Sequence, residues 1–203
     1  SRYSRRGPEE YEKIYTYIQT VVRGRLGNYM VFFPSYKMLE EVAALALQKG
    51  LPNGAKLLCQ NPHMKEEERE AFLQEFEGEG VVGFCTMGGI FSEGIDLTGR
   101  RLIGAIIVGT GLPMVCNERE ILRQYFEEKE GKGYEYAYLY PGLNKVLQAA
   151  GRVIRTQEDE GMILLLDERF LSPATRQMFP REWADYQVVD LQQIEQVEKD
   201  FWK

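Results

Sequence analysis

Two arginines in the last third of the chain are spaced in a way that suits anion binding. On a helix, four polar side chains of residues 141–161 (PGLNKVLQAAGRVIRTQEDEG) share one face, because they lie four, four and three residues apart: Asn144, Gln148, Arg152 and Arg155. A guanidinium offers a rigid fork of donors that matches phosphate oxygens, and it stays charged when partly buried. We expect this face to meet an anion, for which a nucleotide γ-phosphate is the obvious candidate.

The alternative is a solvated helix whose arginines pair internally with three acidic residues that follow them: Glu158, Asp159 and Glu160. Three small residues after Gln148 favour the anion site, because they would let another molecule approach closely: Ala149, Ala150 and Gly151. The opposite side of the helix is expected to face the core through six apolar residues: Leu143, Val146, Leu147, Ala150, Val153 and Ile154.

A glycine-rich stretch at residues 88–102 (GGIFSEGIDLTGRRL) is the second candidate. Glycines allow positive φ angles, which let a loop present backbone N–H groups to an anion, and Ser92 adds a hydroxyl. Glu93 and Asp96 cannot bind phosphate, but they can orient an arginine or accept a hydrogen bond from a ribose hydroxyl. A flexible turn whose glycines only reverse the chain is the alternative.

The third candidate is the start of a helix at residues 30–42 (MVFFPSYKMLEEV). Pro34 ends a strand, and Ser35 lies where an N-cap belongs. A helix N-terminus with Ser35 and Lys37 can hold a phosphate of a nucleic-acid backbone, although plain capping is an equally good explanation of Ser35.

Other chemistries are disfavoured by what the sequence lacks. It has no G-x-x-x-x-G-K-[ST] phosphate loop, and Gly109-x-Gly111 fails as a dinucleotide fingerprint because position 114 is Met. His63 stands beside Pro62 without an elbow-type serine, so a hydrolase triad is not expected. Acidic pairs such as Asp167-Glu168 are interpreted as solvated faces. The three cysteines (Cys59, Cys85, Cys116) are too far apart for a zinc site, so we expect no metal and buried, reduced thiols.

Composition and length indicate one globular domain. The chain has 203 residues, 44% of them hydrophobic, and a net charge of −6, which argues against non-specific clamping of duplex DNA. It contains no apolar run of roughly 20 residues and no signal-peptide core, so we expect a cytosolic protein without a membrane segment.

The elements that must position the candidate residues are short apolar strands alternating with helices. We predict strands at 29–33, 55–59, 81–85, 102–108 and 162–166, and helices after Pro8 and at 36–48, 65–76, 118–130, 143–154 and 191–202. Strands that are apolar on both faces require a parallel sheet with helices on both sides, hence an α/β fold. Ligands of such sheets sit beyond the carboxyl ends of the strands, so the loops after Phe33, Cys85, Val108 and Leu166 are the ones to examine.

In chain order, the three stretches resemble the second RecA-like motor domain of superfamily 2 helicases of the DinG/XPD type. Residues 30–36 resemble motif IV, residues 89–96 (GIFSEGID) motif V, and residues 148–155 (QAAGRVIR) motif VI. The segments LIGAIIVGTGLP and GMILLLDERF are also similar to family sequence, so the resemblance covers roughly residues 29–170. It implies a RecA-like, three-layer α/β/α domain with a mostly parallel sheet at 9–203, and residues 1–8 would be a linker or a cut through a larger protein.

The resemblance also implies the activity and the roles of individual residues. The domain would belong to an ATP-dependent DNA helicase in which ATP lies between two motor domains and single-stranded or forked DNA crosses both. Arg155 would be the arginine finger, Arg152 the second γ-phosphate contact, and Gln148 would position the nucleotide or the attacking water. Asp96 would face the nucleotide, and Glu93 and Gly94 would shape its loop. Three further residues would lie nearer the DNA backbone: Ser35, Lys37 and Ser92.

Two departures from the family pattern limit what this chain can do alone. The phosphate loop and the acidic Mg²⁺-binding box are missing, so ATP and Mg²⁺ would be bound mainly by an N-terminal motor domain of the same polypeptide. The four cysteines that hold an iron–sulfur cluster in many relatives are missing as well. We therefore expect a C-terminal piece of a longer protein that is inactive by itself. The other possibility is a non-catalytic nucleic-acid-binding or regulatory module with a degenerate helicase fold.

Overall fold

The computed structural model describes residues 7–92, 97, 101–154 and 159–203, and its centre is a sheet of five strands. The strands are β1 (Tyr29–Phe33), β2 (Lys56–Cys59), β3 (Val81–Thr86), β4 (Gly104–Val108) and β5 (Met162–Leu166). They lie in the order β2-β3-β1-β4-β5, and every neighbouring pair is parallel. The five predicted strands are confirmed to within two residues at each end.

Helices surround the sheet and join its strands. They are α1 (Pro8–Gly24), α2 (Tyr36–Lys49), α3 (Glu66–Gln74), α4 (Asn117–Glu130), α5 (Tyr140–Ala150), α6 (Pro173–Arg176) and α7 (Ile194–Phe201), with a π-helix at Glu135–Leu139 directly before α5. Single 3₁₀ turns occupy Pro52–Gly54, Glu75–Glu77, Glu168–Leu171 and Arg181–Trp183. None of the described helices is both long enough and apolar enough to cross a membrane.

Alternating side chains of each strand build two cores, one on each face of the sheet. On β1, Tyr29, Val31 and Phe33 join the core beneath α1, α2 and α7. Met30 and Phe32 join the opposite core, beneath α3 and α5. Because both faces are covered, every residue of β1 and β4 is buried, which explains their unbroken apolar runs. The result is the three-layer α/β/α arrangement that the sequence predicts.

Two predicted helices have different limits in the structure. The helix predicted at 143–154 begins at Tyr140, since a proline is tolerated in a first turn, and it ends at Ala150. There, the amides of Arg152 and Val153 donate to carbonyls three residues back, which tightens and closes the last turn. The tail helix begins at Ile194 instead of residue 191. The Asp190 carboxylate accepts from the backbone amides of Gln192 and Gln193 and holds a turn directly before the helix.

The amino ends of the strands are tied together by one buried side chain, Asn28. Its Oδ1 accepts from the amide of Val81 at 2.9 Å, and its Nδ2 lies 2.8 to 3.1 Å from three carbonyl oxygens, those of Phe76, Gly78 and Arg101. A single amide therefore connects the start of β1 to the segments that lead into β3 and β4.

The last helix packs on the first, and a buried carboxyl lies between them. Glu198 of α7 is 1% exposed, and a methyl group added to Gly24 of α1 would lie 2.2 Å from its carboxyl carbon. Among the described residues, neither carboxyl oxygen has a hydrogen-bond partner. Burial raises the pKa of Glu198 to about 7. The neighbouring Trp202 indole acts to lower this pKa, and the negative charge of Glu195 acts to raise it further.

The expectation of three buried thiols is wrong for two of them. Cys85 lies inside the sheet on β3, but Cys59 is exposed on the edge strand β2, and Cys116 is exposed immediately before α4. An apolar neighbourhood in sequence did not bury them, because an edge strand and a helix entry have one open side.

Candidate functional site

The carboxyl ends of all five strands meet at one edge of the sheet, since all of them run in the same direction. From β1 the chain continues to β2, at one edge of the sheet. From β4 it continues to β5, at the opposite edge. Neighbouring strands whose connections leave in opposite directions form a topological switch point, where parallel sheets open a ligand crevice. The switch point of this sheet lies between the ends of β1 and β4.

The loop after β1 starts α2, as predicted, and Ser35 caps that helix. The backbone of Ser35 is extended, and its hydroxyl accepts from the amide of Met38 at 3.4 Å. Lys37 is exposed on the first turn. Because its hydroxyl is used for capping, Ser35 offers the N-terminus of α2 rather than its own side chain to a ligand.

The loop after β3 is held from within by Ser92. Its side chain is completely buried, its hydroxyl donates to the carbonyl of Thr86 at 3.2 Å, and it accepts from the amide of Gly88 at 3.0 Å. Gly88 has a φ of +70°, which allows this tight loop. The expected contact between the Ser92 hydroxyl and a nucleic acid does not fit this geometry, because a buried side chain with two internal bonds has no surface to offer.

A second buried polar residue, Gln60, fixes this loop against its neighbours. Its Oε1 accepts from the amide of Thr86 at 2.9 Å, and its Nε2 donates to the hydroxyl of Tyr36 at 2.8 Å. The side chain thereby joins the ends of β2 and β3 to the start of α2. Sequence reasoning missed Gln60, although a lone polar residue directly after an apolar strand was a signal.

The arginine motif lies at the end of α5. Gln148 is exposed, and Arg152 is half-buried in the turn that follows the helix, where its Nε donates to the carbonyl of Gln148 at 3.1 Å. Val153 is buried as predicted, but Ile154 is 46% exposed because the helix has already ended. Ala149 and Ala150 are buried in the core, so of the three small residues only Gly151 leaves room for an approaching molecule.

The described segments before and after residues 155–158 pack against each other at Val153 and Gly161. A methyl group on Gly161 would lie 2.2 Å from Cγ1 of Val153, so only a glycine allows the chain to return to β5 at this point. Arg155 and Glu158 themselves lie outside the described residues, as do Glu93, Gly94 and Asp96. Their roles stay predictions from the sequence.

An ion pair at the end of β5 was also missed. The Asp167 side chain has no exposed surface, and Arg169 donates to both of its carboxylate oxygens at 2.8 Å. Burial by itself would raise the pKa of Asp167, but the hydrogen bonds and charge of Arg169 outweigh burial and hold the pKa well below its usual range. The interpretation of Asp167 as part of a solvated face is therefore wrong.

Comparison with known proteins identifies the family. The helicase C-terminal domain family matches residues 18–186. The chain is 34% identical to the "Regulator of telomere elongation helicase 1 homolog" of Drosophila persimilis over 157 residues. The matched region covers 70% of this chain and 15% of that protein. It is 31% identical over 162 residues to the protein of that name from Culex quinquefasciatus, covering 72% of this chain and 17% of the relative. The chain thus spans about one sixth of the length of these relatives.

Solved structures share the fold. A structure named "XPD_APO" superimposes with a TM-score of 0.71 at 24% identity, over 87% of this chain and 36% of the other. The structure named "Structure of the C-terminal domain of the DEAD-box protein Dbp5" gives 0.53 at 15% identity, over 92% and 90% of the two chains. These similarities confirm the RecA-like α/β fold. Together with the family match over most of its length, they place this chain in the helicase C-terminal domain family.

Proposed function

We propose that the chain is the second motor domain of an ATP-dependent DNA helicase, which supplies the arginine finger and part of the track for single-stranded DNA. Its first motor domain, on the same polypeptide, would carry the phosphate loop and most of the contacts to ATP and Mg²⁺. The relatives that share its family are named as helicases, and the chain matches one segment of their length.

The observation that carries the proposal is the geometry at the end of α5. The helix ends at Ala150, and both Ala150 and Val153 are buried in the core. The turn that carries Arg152 is therefore held by core packing on either side of this residue. The bond from Arg152 to the Gln148 carbonyl holds the guanidinium beside the exposed Gln148 amide. Both polar groups therefore lie together at the end of α5, where we infer that they contact a molecule outside this domain, and Arg155 follows three residues later.

This residue set fits a nucleotide phosphate but not a complete nucleotide site. Arg152, Arg155 and Gln148 provide positive charge and donors, as phosphoryl transfer requires for stabilising the charge of the transferred group. Among the described residues, no three His, Cys, Asp or Glu side chains lie together as metal ligands. In this proposal Mg²⁺ comes with the triphosphate, and Asp96, Glu93 and Gly94 line the side of the pocket that belongs to this domain.

The proposed DNA track follows the carboxyl edge of the sheet. The N-terminus of α2 and the exposed Lys37 would contact strand phosphates without reading the bases, as a translocating motor requires. Ser92 would act indirectly, because its hydrogen bonds to Thr86 and Gly88 fix the loop of residues 86–92 that borders the track. Motion would follow from closure of two domains around ATP, because the arginine finger reaches the phosphate only when they meet.

Replacing the arginine finger tests the proposal. In the full-length protein, we expect Arg155→Ala to lower DNA-stimulated ATP hydrolysis by about 10³-fold or more, since an arginine finger contributes that much to the rate. Arg181→Ala is the matched control, because Arg181 is an exposed arginine on a turn that does not belong to the motif. The 203-residue chain alone should show negligible hydrolysis. Normal turnover in Arg155→Ala would refute the assignment of the arginine finger, whereas a full-length wild type without DNA-stimulated hydrolysis would favour a non-catalytic module.

A further inference from the structure

Lys145 is a cation that the helicase motifs do not include, and it lies across the switch point of the sheet. It is half-buried on α5, one turn before the end of that helix. A methyl group on Gly111, in the loop after β4, would lie 3.5 Å from Cβ of Lys145. A methyl group on Gly88, in the loop after β3, would lie 3.2 Å from both Cδ and Cε and 3.6 Å from Nζ.

These contacts define the path of the side chain. In the sheet, β1 lies between β3 and β4. A side chain that begins beside the β4 loop and ends beside the β3 loop must therefore cross the carboxyl end of β1. The ammonium group therefore lies at the carboxyl end of β1, where α2 begins. This position is next to the ligand crevice at the switch point between β1 and β4.

Within the described part of the chain, the ammonium group of Lys145 has no partner that neutralises its charge. Among the described residues, no carboxylate forms an ion pair with Lys145, and no carbonyl or hydroxyl accepts from it. An ammonium group that no internal carboxylate neutralises is available to an anion that binds at this edge. The glycines at 88 and 111, both with positive φ, keep side chains out of the space beside it.

Thr110 provides an independent sign that a ligand belongs at this edge. It directly follows Gly109 at the end of β4, it is 6% exposed, and its hydroxyl has no hydrogen-bond partner among the described residues. The register pairs Phe32 with Ile107, so Ser35 and Thr110 each stand three residues beyond paired positions of β1 and β4. A phosphate oxygen at the switch point would supply the acceptor that this part of the chain lacks.

We propose that Lys145, together with the Thr110 hydroxyl and the N-terminus of α2, holds a phosphate of the single strand on which the motor moves. This assignment rests on the proposed function. It adds a sequence-independent contact between the loops that follow β3 and β4, at a position outside the three motifs. The ligand chemistry is a phosphate oxygen, and its source is a strand phosphodiester rather than the nucleotide.

The salt dependence of strand binding tests the assignment. Binding of a fluorescein-labelled oligothymidylate to the full-length protein is measured by anisotropy at several salt concentrations. Removing one phosphate contact to a single strand lowers the slope of log K against log salt by about 0.7. We expect that loss in Lys145→Gln, with affinity about tenfold weaker at low salt because a charge-assisted bond is lost. Lys145→Arg should restore the slope.

Controls separate this contact from folding and from the nucleotide pocket. Lys132→Gln, at an exposed lysine after α4, should keep the wild-type slope. Thr110→Val should weaken strand binding severalfold without lowering the thermal midpoint, because it removes a buried hydroxyl that has no partner. Binding of a fluorescent ATP analogue should not change in Lys145→Gln.

Distinct outcomes would overturn the two proposals. If the wild-type protein does not bind the oligothymidylate, the proposed function fails. If the wild type binds but Lys145→Gln keeps its slope and affinity, only the assignment of Lys145 fails. A loss confined to the ATP analogue would place Lys145 in the nucleotide pocket, which also contradicts the assignment.

Discussion

The buried carboxyl of Glu198 makes the stability of this domain depend on pH in a specific direction. The folded state raises its pKa from 4.5 to about 7, mainly through burial between α7 and α1. Below pH 4.5 the carboxyl is protonated in both states and folding carries no ionisation cost. As the pH rises, the unfolded chain releases this proton first, so the free energy of unfolding falls up to about pH 7 and is constant above it.

The size of the effect follows from the shift in pKa. A difference of about 2.5 pH units corresponds to about 3 kcal/mol of stability lost between the two ends of this range. Glu198→Gln keeps the shape of the side chain but cannot ionise. We therefore expect the variant to remove most of this pH dependence and to be more stable than the wild type at neutral pH.

Urea unfolding at several pH values measures both effects. Glu182→Gln is the matched control, because Glu182 is exposed on a surface turn and should leave the pH profile unchanged. If Glu198→Gln retains the wild-type fall in stability between about pH 4.5 and pH 7, the carboxyl is not the group responsible, and the argument from burial is refuted.

Two further substitutions test how the sheet and the motif helix are held. Asn28→Ala removes the buried acceptor of the Val81 amide and should lower the free energy of unfolding by about 3 kcal/mol, measured by urea unfolding, whereas exposed Asn61→Ala should have little effect. In Gly142→Ala, the new methyl group would lie 2.8 Å from the Thr110 carbonyl oxygen and push α5 away from the β4 loop. We expect a loss of about 1 to 3 kcal/mol and slower ATP hydrolysis, and wild-type values of both would contradict this close packing.

The layered fold was predictable because its signals are local. A strand covered on both faces must be apolar throughout, and the run from Tyr29 to Phe33 shows this directly. The start of α2 was equally clear, since Pro34 and Ser35 combine a strand end with an N-cap. These features depend on residues that are adjacent in sequence, so they can be predicted without knowledge of the tertiary structure.

The parts that could not be predicted depend on residues distant in sequence. Ala149 is buried because α5 packs on β4. The face that α5 turns towards the sheet decides which of its small residues remain accessible. Lys145 reaches Gly88 across 57 positions of sequence, which no periodic pattern records. The Gly109-x-Gly111 spacing was a usable signal, since it marks a tight loop after a strand even though it fails as a dinucleotide fingerprint.

The packing of α7 on α1 has a consequence for how the chain acquires its structure during synthesis. Ile194 belongs to the same core as Ile14 and Ile18, so part of the apolar face of α1 stays uncovered during synthesis until residues made nearly 180 positions later emerge from the ribosome. Contacts between residues this distant in sequence slow folding, and in the meantime they leave apolar side chains of α1 exposed. Nascent chains that stall before Ile194 should therefore depend on chaperones until translation resumes.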